Sequence, residues 1–169
     1  MRSFAPGHRF LGSSLLLPAL ALSAVLAGAC EPDLIPNTRV EDTAANREVL
    51  AFVEKYREAV EQRNVPLLMS LASPNYFDDM GTPAGEDDID YDGLKAGLTR
   101  IHEEVLGARY QISYRAVTYA ADQRILVDVL YTGWFRVTTT AGPQWKRHLE
   151  PHRLVIALED KSFKVISGM

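Results

Sequence analysis

Residues 124–137 read RILVDVLYTGWFRV, and their side chains alternate between two classes. Successive side chains of a strand point to opposite faces, so this alternation predicts one long strand with a buried face and a mixed face. Gly133 inside the strand predicts a bend or bulge. The apolar class is Ile125, Val127, Val129, Tyr131, Phe135 and Val137, and the mixed class is Leu126, Asp128, Leu130, Thr132, Trp134 and Arg136.

The segments before this strand have helical periodicity. Apolar residues recur at helical spacing over residues 43–63, which predicts a first helix capped by Thr43 or Asn46. Asn64 is expected to cap a short second helix, and residues 91–106 form a third, ending before Gly107. Gly93 and Gly97 inside the third helix predict a close backbone approach. Residues 76–79 are predicted as a short strand and residues 80–86 as a loop.

The segments after residue 107 are strand-like. Alternation predicts strands over residues 110–119, 145–159 and 163–167, and Pro151 places part of the second at an edge or bulge. Helices that precede hairpin-linked strands indicate an α+β fold, with the helices covering one face of an antiparallel sheet.

Composition limits the function classes. The chain has 169 residues, of which 47% are hydrophobic and 24% charged, as in a globular protein of one domain. Its net charge is -4, and residues 1–29 carry two arginines and no acids, so the remainder is more acidic still. Nucleic-acid binding needs clustered basic residues, so it is excluded as a function.

The N-terminus has the pattern of an export signal over residues 1–29. Arg2, His8 and Arg9 are followed by an apolar run over residues 11–27 and by small residues before Cys30. Cys30 is the single cysteine, so an internal disulfide is excluded. Two other interpretations of residues 1–30 remain open. One is an ordinary signal-peptidase site that leaves Cys30 as a free thiol. The other is an uncleaved membrane helix, which Pro18 disfavours.

The stretch around Cys30 resembles the lipobox of bacterial lipoproteins, although Ala27 stands where that family prefers leucine. The resemblance implies that Cys30 is acylated and that the protein is exported and held at the inner or outer membrane of the cell envelope, facing the periplasm. Residues 30–42, with Pro32 and Pro36, are then predicted to be a tether to a domain over residues 43–169.

Three successive features resemble the nuclear transport factor 2-like superfamily. They are the run YREAVEQRNVPLLMSLASPNYFDDMG at residues 56–81, the helix that follows it, and the strands that end in FKVISGM. The superfamily includes SnoaL-like polyketide cyclases and ketosteroid isomerase. The resemblance covers residues 46–169. It implies a cystatin-like cone, in which three helices pack on a curved sheet around a pocket at the wide end, often in a homodimer.

The resemblance to ketosteroid isomerase implies candidate catalytic residues. Tyr56 matches the position of the oxyanion-binding tyrosine, and Asp79, with Asp78 as an alternative, falls near the general base. The protonated acid that completes the set is missing, because Arg153 and Leu154 occupy the expected strand position. The alternative is that Tyr56 is a core tyrosine and Asp79 a turn residue.

Two groups of residues are weak metal candidates. His148, Glu150 and His152 alternate on one strand, and imidazole and carboxylate ligate zinc or iron. Asp88, Asp90 and Asp92 resemble the opening of a calcium loop, but Thr99 replaces the required glutamate. A polar pocket rim or a solvated edge accounts for the first group more simply, and the start of a helix accounts for the second. We predict no metal and no cofactor, and no Walker or dinucleotide motif is present.

Aromatic residues on the strands are candidates for lining an apolar pocket, although they can equally be core: Tyr114, Tyr131, Trp134, Phe135 and Trp145. Asp128, if buried, needs Arg115, Arg136 or Arg153 as a partner. The predicted pocket set is Tyr56, Tyr76, Asp79, Tyr114, Asp128, Trp134, His148 and His152.

Three functions remain open. The first is a membrane-anchored binding or accessory domain for a small apolar ligand, held at the membrane through acylated Cys30. The second is a small isomerase, cyclase or hydrolase that uses Tyr56 and Asp79. The third is a structural protein of the envelope that forms a homodimer through its sheet.

Overall fold

A computed structural model describes residues 32–83 and 85–169, so the predicted signal segment and Cys30 lie outside the described residues, as does Ala84. The described chain forms three helices, a four-stranded sheet and a two-stranded sheet. None of these helices is long and apolar enough to cross a membrane. The elements are α1 (Ala44–Glu61), α2 (Val65–Leu71), β1 (Phe77–Asp78), β2 (Ile89–Asp90), α3 (Tyr91–Glu104), β3 (Val105–Tyr119), β4 (Ile125–Thr139), β5 (Gly142–Glu159) and β6 (Ser162–Ser167).

Polar side chains start each helix. The Thr43 hydroxyl accepts a hydrogen bond from the Asn46 amide at the start of α1. Asn64 caps α2 in the same way, and the Asp90 carboxylate accepts from the Gly93 amide at the start of α3. Each bond satisfies an amide that has no partner within its helix, which explains why the helices begin where they do. The predicted caps Thr43 and Asn64 are confirmed.

The main sheet is antiparallel, with the strand order β3-β4-β5-β6. β4 pairs with β5 along its whole length and with β3 from Ile125 to Val137, as the sequence pattern predicts for a central strand. Its apolar class faces the helices, and Ile125, Val127 and Val129 are buried. The α+β prediction is therefore confirmed.

The core lies between α1 and this inner face of the sheet. Val53 and Ala59 of α1 and Val127, Ile156 and Val165 of the sheet are fully buried. Burial of each valine or isoleucine side chain contributes roughly 1.5–3 kcal/mol, so this layer stabilises the position of the inward-facing residues beside it.

Pro151 lies in β5 at a point where only one side of the strand is paired. β6 pairs with β5 from Val155 to Glu159, so the segment of β5 that contains Pro151 has β4 alone as a neighbour. Proline is tolerated there because it has no amide to donate to a second partner. The predicted edge position is confirmed.

The predictions for Gly97 and Gly107 are wrong, and no bulge forms at Gly133. Gly133 is regularly paired, with Tyr110 and His148, and its lack of a side chain makes room for the Phe135 ring, which would lie 2.5 Å from an added Cβ. A Cβ on Gly97 would meet no described atom within 4 Å, so no close approach exists there. Gly107 does not follow a helix end, because α3 stops at Glu104 and β3 begins at once.

The segment from Pro32 to Asp42 packs on the domain, so the predicted tether is wrong for these residues. Val40 is only 2% exposed and belongs to the core cluster. The Ile35 amide donates to the Val40 carbonyl at 2.9 Å, and the Arg39 amide donates to the Tyr114 carbonyl at 3.2 Å. The prolines and polar residues that predicted a tether form a turn instead, and burial of Val40 holds it.

Candidate ligand-binding site

A cavity of about 260 Å³ lies between the helices and the inner face of β3, β4 and β5. This is close to the lower limit of ordinary small-molecule sites, so it suits a compact ligand. Most of the lining is apolar or aromatic. The lining residues are Tyr56, Val60, Arg63, Val65, Leu68, Leu98, Ile101, His102, Val105, Ala108, Tyr110, Tyr131, Phe135, His152 and Met169.

A series of aromatic rings crosses one wall of this cavity. Tyr56 of α1 meets Tyr110 of β3 edge to face, with ring centroids 6.3 Å apart. Tyr110 stacks on Tyr131 of β4 at 5.0 Å, and Tyr131 meets His152 of β5 at 5.7 Å. The strand order places one ring on each successive strand, so the series follows directly from the antiparallel register.

The phenols of this series remain protonated at neutral pH. Burial raises the pKa of Tyr56 to about 12. Burial also raises the pKa of Tyr110 and of Tyr131 above the ordinary value, and nearby phenols add to the effect at Tyr110. Neutral phenols donate hydrogen bonds to carbonyl or hydroxyl oxygens, and they cannot act as bases.

Arg63 and His102 join two chain segments at the cavity mouth. The Arg63 guanidinium Nη1 donates to the carbonyls of Val105 and His102, the latter at 3.1 Å. In return the His102 Nδ1 donates to the Arg63 carbonyl at 3.0 Å. Arg63 has a φ of 52°, so the turn between α1 and α2 is left-handed at this residue. These bonds fix α3 against that turn.

The candidate general bases lie outside the cavity. Asp79 is exposed, and its carboxylate accepts from the Gly81 amide at 2.9 Å, as a turn residue does. Asp78 accepts from the Met80 amide, from the Gly168 amide and from the Tyr76 hydroxyl. Tyr76 is buried, and its hydroxyl accepts from the Met169 amide at 3.0 Å. Asp78 and Tyr76 thus hold the last residues of the chain.

His148, Glu150 and His152 share the inner face of β5, opposite Gly133, Tyr131 and Val129. Only His152 lines the cavity, and its Nε2 donates to the Gly168 carbonyl at 2.7 Å. Glu150 accepts from the Tyr131 hydroxyl at 3.3 Å, and His148 is exposed beside the Phe135 ring.

Metal-ligating residues do not cluster in the described chain. No group of three histidine, cysteine or acidic side chains there is placed to hold an ion, and this includes Asp88, Asp90 and Asp92. Asp90 instead caps α3, and Asp92 lies in the first turn of that helix, where a negative charge is favourable.

Three other predicted pocket residues lie away from the cavity. Asp128 is on the outer face of the sheet and binds the Arg153 guanidinium through both oxygens, at 2.6 and 3.1 Å. Trp134 is on the same face, with the Arg147 guanidinium 5.8 Å from its ring. Tyr114 is buried in the core and donates to the Glu54 carboxylate at 2.6 Å.

Comparison with solved structures identifies the fold. A protein named as a candidate scytalone dehydratase from Novosphingobium aromaticivorans superposes with a TM-score of 0.62 at 13% identity, covering 73% of this chain and 80% of that one. ActVI-ORFA from Streptomyces coelicolor gives 0.57 at 14% identity, covering 73% and 94%. Aln2 from a Streptomyces species gives 0.58 at 11% identity, covering 77% and 91%.

The chain has the nuclear transport factor 2-like cone fold. No protein-family model matches the sequence, and no curated protein does so either. At these identities the likeness of the cone folds extends to architecture alone, so the function has to be argued from the residues of the cavity.

The sequence pattern predicted some of the residues that line this cavity. Of the predicted pocket set, Tyr56 and His152 line it, and so do Tyr131 and Phe135 among the strand aromatics. Tyr110 was detectable, because it leads the alternating inward class of β3. Arg63, His102 and Met169 were missed. They come together only when the α1–α2 turn, the end of α3 and the C-terminus meet at the mouth, which no local pattern predicts.

Proposed function

We propose that this chain is a binding domain for a small, largely apolar molecule, carried on an exported lipoprotein that is anchored to the cell envelope through Cys30. The observation that carries the binding proposal is the apolar cavity crossed by Tyr56, Tyr110 and Tyr131. An apolar pocket with a few convergent polar groups is the usual form of a small-molecule site.

The polar groups of the cavity favour binding over catalysis. No acidic side chain of the described chain lines it, and Asp78 and Asp79 are occupied elsewhere. The phenols are neutral, and the Nε2 of His152 is held by the Gly168 carbonyl. A general base has to lie within hydrogen-bond reach of the proton it removes, and neither aspartate meets this condition. These features support recognition of a ligand oxygen by neutral donors.

Filling the cavity tests the binding proposal. Ala108 lines the cavity from β3, and Gln111 is exposed on the same strand. Naphthol, a neutral aromatic probe, should raise the melting temperature of the wild type and of Gln111→Phe but not that of Ala108→Phe, whose new ring occupies the site. An equal response of all three proteins would place binding elsewhere and refute the proposal.

The mass of the mature protein tests the proposed anchor. Protein extracted from membranes should begin at Cys30 and carry the added mass of acyl chains, each buried CH₂ of which contributes about 0.8 kcal/mol to membrane binding. A mature chain that starts with an unmodified Cys30 refutes the lipid anchor and leaves the binding proposal intact.

A further inference from the structure

We infer that the ligand is a monocarboxylate, with its alkyl or aryl body in the cavity and its carboxylate on Arg63 at the mouth. This inference rests on the proposed binding function and specifies the chemical class of the ligand. The evidence for it is the charge of Arg63 and the hydrogen-bond donors that Arg63 leaves unused.

Arg63 gives the cavity a positive charge that no acid offsets. It is the one arginine or lysine among the lining residues, and no aspartate or glutamate of the described chain accompanies it. Nor does it form an ion pair within that part of the chain. A partly buried guanidinium with no counter-charge attracts an anion, because the low-dielectric walls screen the interaction less than water does.

Two acids bonded to the aromatic series, Glu61 and Glu150, are already engaged. The Glu61 carboxylate accepts from the Tyr110 amide at 2.9 Å and binds the Arg57 guanidinium at 2.7 Å. The Glu150 carboxylate accepts a hydrogen bond from the hydroxyl of Tyr131, a member of the aromatic series. Since each has its own partner, neither neutralises Arg63.

The donors that Arg63 leaves unused suit a carboxylate. Its Nη1 serves the His102 and Val105 carbonyls, while its Nε and Nη2 make no bond to a described residue. Nε and Nη2 form one edge of the planar guanidinium, and two parallel N–H groups on that edge match the two oxygens of a carboxylate. An alcohol or an amide cannot reproduce this charged, bidentate pairing.

The cavity sets the size and character of the rest of the ligand. A cavity of about 260 Å³ lies just below the usual range of small-molecule sites, so the ligand is compact. Tyr110, Tyr131 and Phe135 offer ring faces and edges that favour an aromatic or alkyl body. Phenylpropionate is a probe of this size and chemistry.

A purely structural role for Arg63 makes a different prediction. Its bonds to the carbonyls of His102 and Val105 cap the C-terminal end of α3, and cations stabilise helix ends in this way. Such a cap affects the melting temperature but not the preference between a charged and a neutral ligand.

Calorimetric titration of phenylpropionate and of the isosteric, neutral phenylpropanamide separates the two roles. In the wild type the carboxylate should bind about tenfold more tightly than the amide, since hydrogen bonds to charged groups are about that much stronger. Arg63→Gln should abolish this preference, and Arg63→Lys should retain part of it because the charge remains.

Each outcome bears on one proposal or on both. Equal affinities for the two probes in the wild type, or a preference that survives in Arg63→Gln, overturn the carboxylate inference and leave the binding proposal standing. Binding of naphthol without binding of either probe also overturns the carboxylate inference and leaves the binding proposal standing. Failure of naphthol and of both probes overturns the carboxylate inference and the proposed function together.

Discussion

The backbone amide of Gly168 donates a 2.6 Å hydrogen bond to the carboxylate of Asp78. This bond joins the C-terminus to the short strand β1, 90 residues earlier in the chain. The same carboxylate accepts from the Tyr76 hydroxyl, which in turn accepts from the Met169 amide. An acid that the sequence offered as a candidate base is therefore part of the clamp that closes the fold.

Replacing Asp78 should destabilise the protein. Asp78→Ala leaves partly buried donors of Gly168 and Tyr76 without a partner, which costs about 1–3 kcal/mol in the free energy of unfolding. Urea denaturation measures this loss. The neighbouring exposed variant Asp79→Ala should change it by less than about 0.5 kcal/mol. Equal losses in the two variants would contradict the clamp.

Gly97→Ala should stabilise the protein. A Cβ at this position meets no described atom within 4 Å, and alanine is favoured over glycine inside a helix by about 1 kcal/mol. Gly93→Ala is the matched control, because its Cβ would lie 3.3 Å from the capping oxygen of Asp90 and part of the gain should be lost. Thermal denaturation of both variants should show the larger increase in melting temperature for Gly97→Ala.

Alkaline pH should destabilise the fold through Tyr56. The pKa of its phenol is near 10 when the chain is unfolded and about 12 when folded. Between these values the folded state retains the proton that the unfolded state loses, so stability is complete below pH 10 and falls as the pH rises to 12. The full loss is on the order of 3 kcal/mol.

Unfolding free energies measured from pH 8 to pH 12 test this dependence. The stability of Tyr56→Phe should fall less steeply above pH 10 than that of the wild type, because the variant has no phenol at this position to titrate. Parallel curves for the two proteins would show that Tyr56 does not carry the effect.

Removal of the segment before α1 should cost stability. A chain that starts at Thr43 loses the buried side chain of Val40 and the bond from the Arg39 amide to Tyr114. We expect a loss of about 2 kcal/mol relative to a chain that starts at Pro32, as for removal of a buried aliphatic group. Val40→Ala should reproduce part of this loss. A free tether would give two chains of equal stability.

The fold was predictable from the sequence because its main signals are local. Alternation along β4 and the caps at Thr43 and Asn64 each fix one element with little help from the rest of the chain. The segment at residues 32–42 was misread because its prolines and polar residues predict a linker, and the burial of Val40 in the core cluster is a tertiary effect.

The candidate site was less predictable because residue type does not specify where a side chain packs. Asp128 and Trp134 follow the predicted strand alternation, but the face that they share is the outer face of the sheet. Tyr114 lies in the core, where its hydroxyl donates to the Glu54 carboxylate. Arg63 gives no signal in the sequence, since its role at the mouth depends on a left-handed turn and on the end of α3.

The position of the N-terminal segment has a consequence for the direction from which a ligand arrives. The Asp42 amide donates to the Asp33 carbonyl, so Pro32 lies next to the start of α1, whereas Arg63 lies just past its end. Eighteen residues of helix span about 27 Å. A ligand that reaches Arg63 therefore approaches at the end of α1 opposite the N-terminal segment.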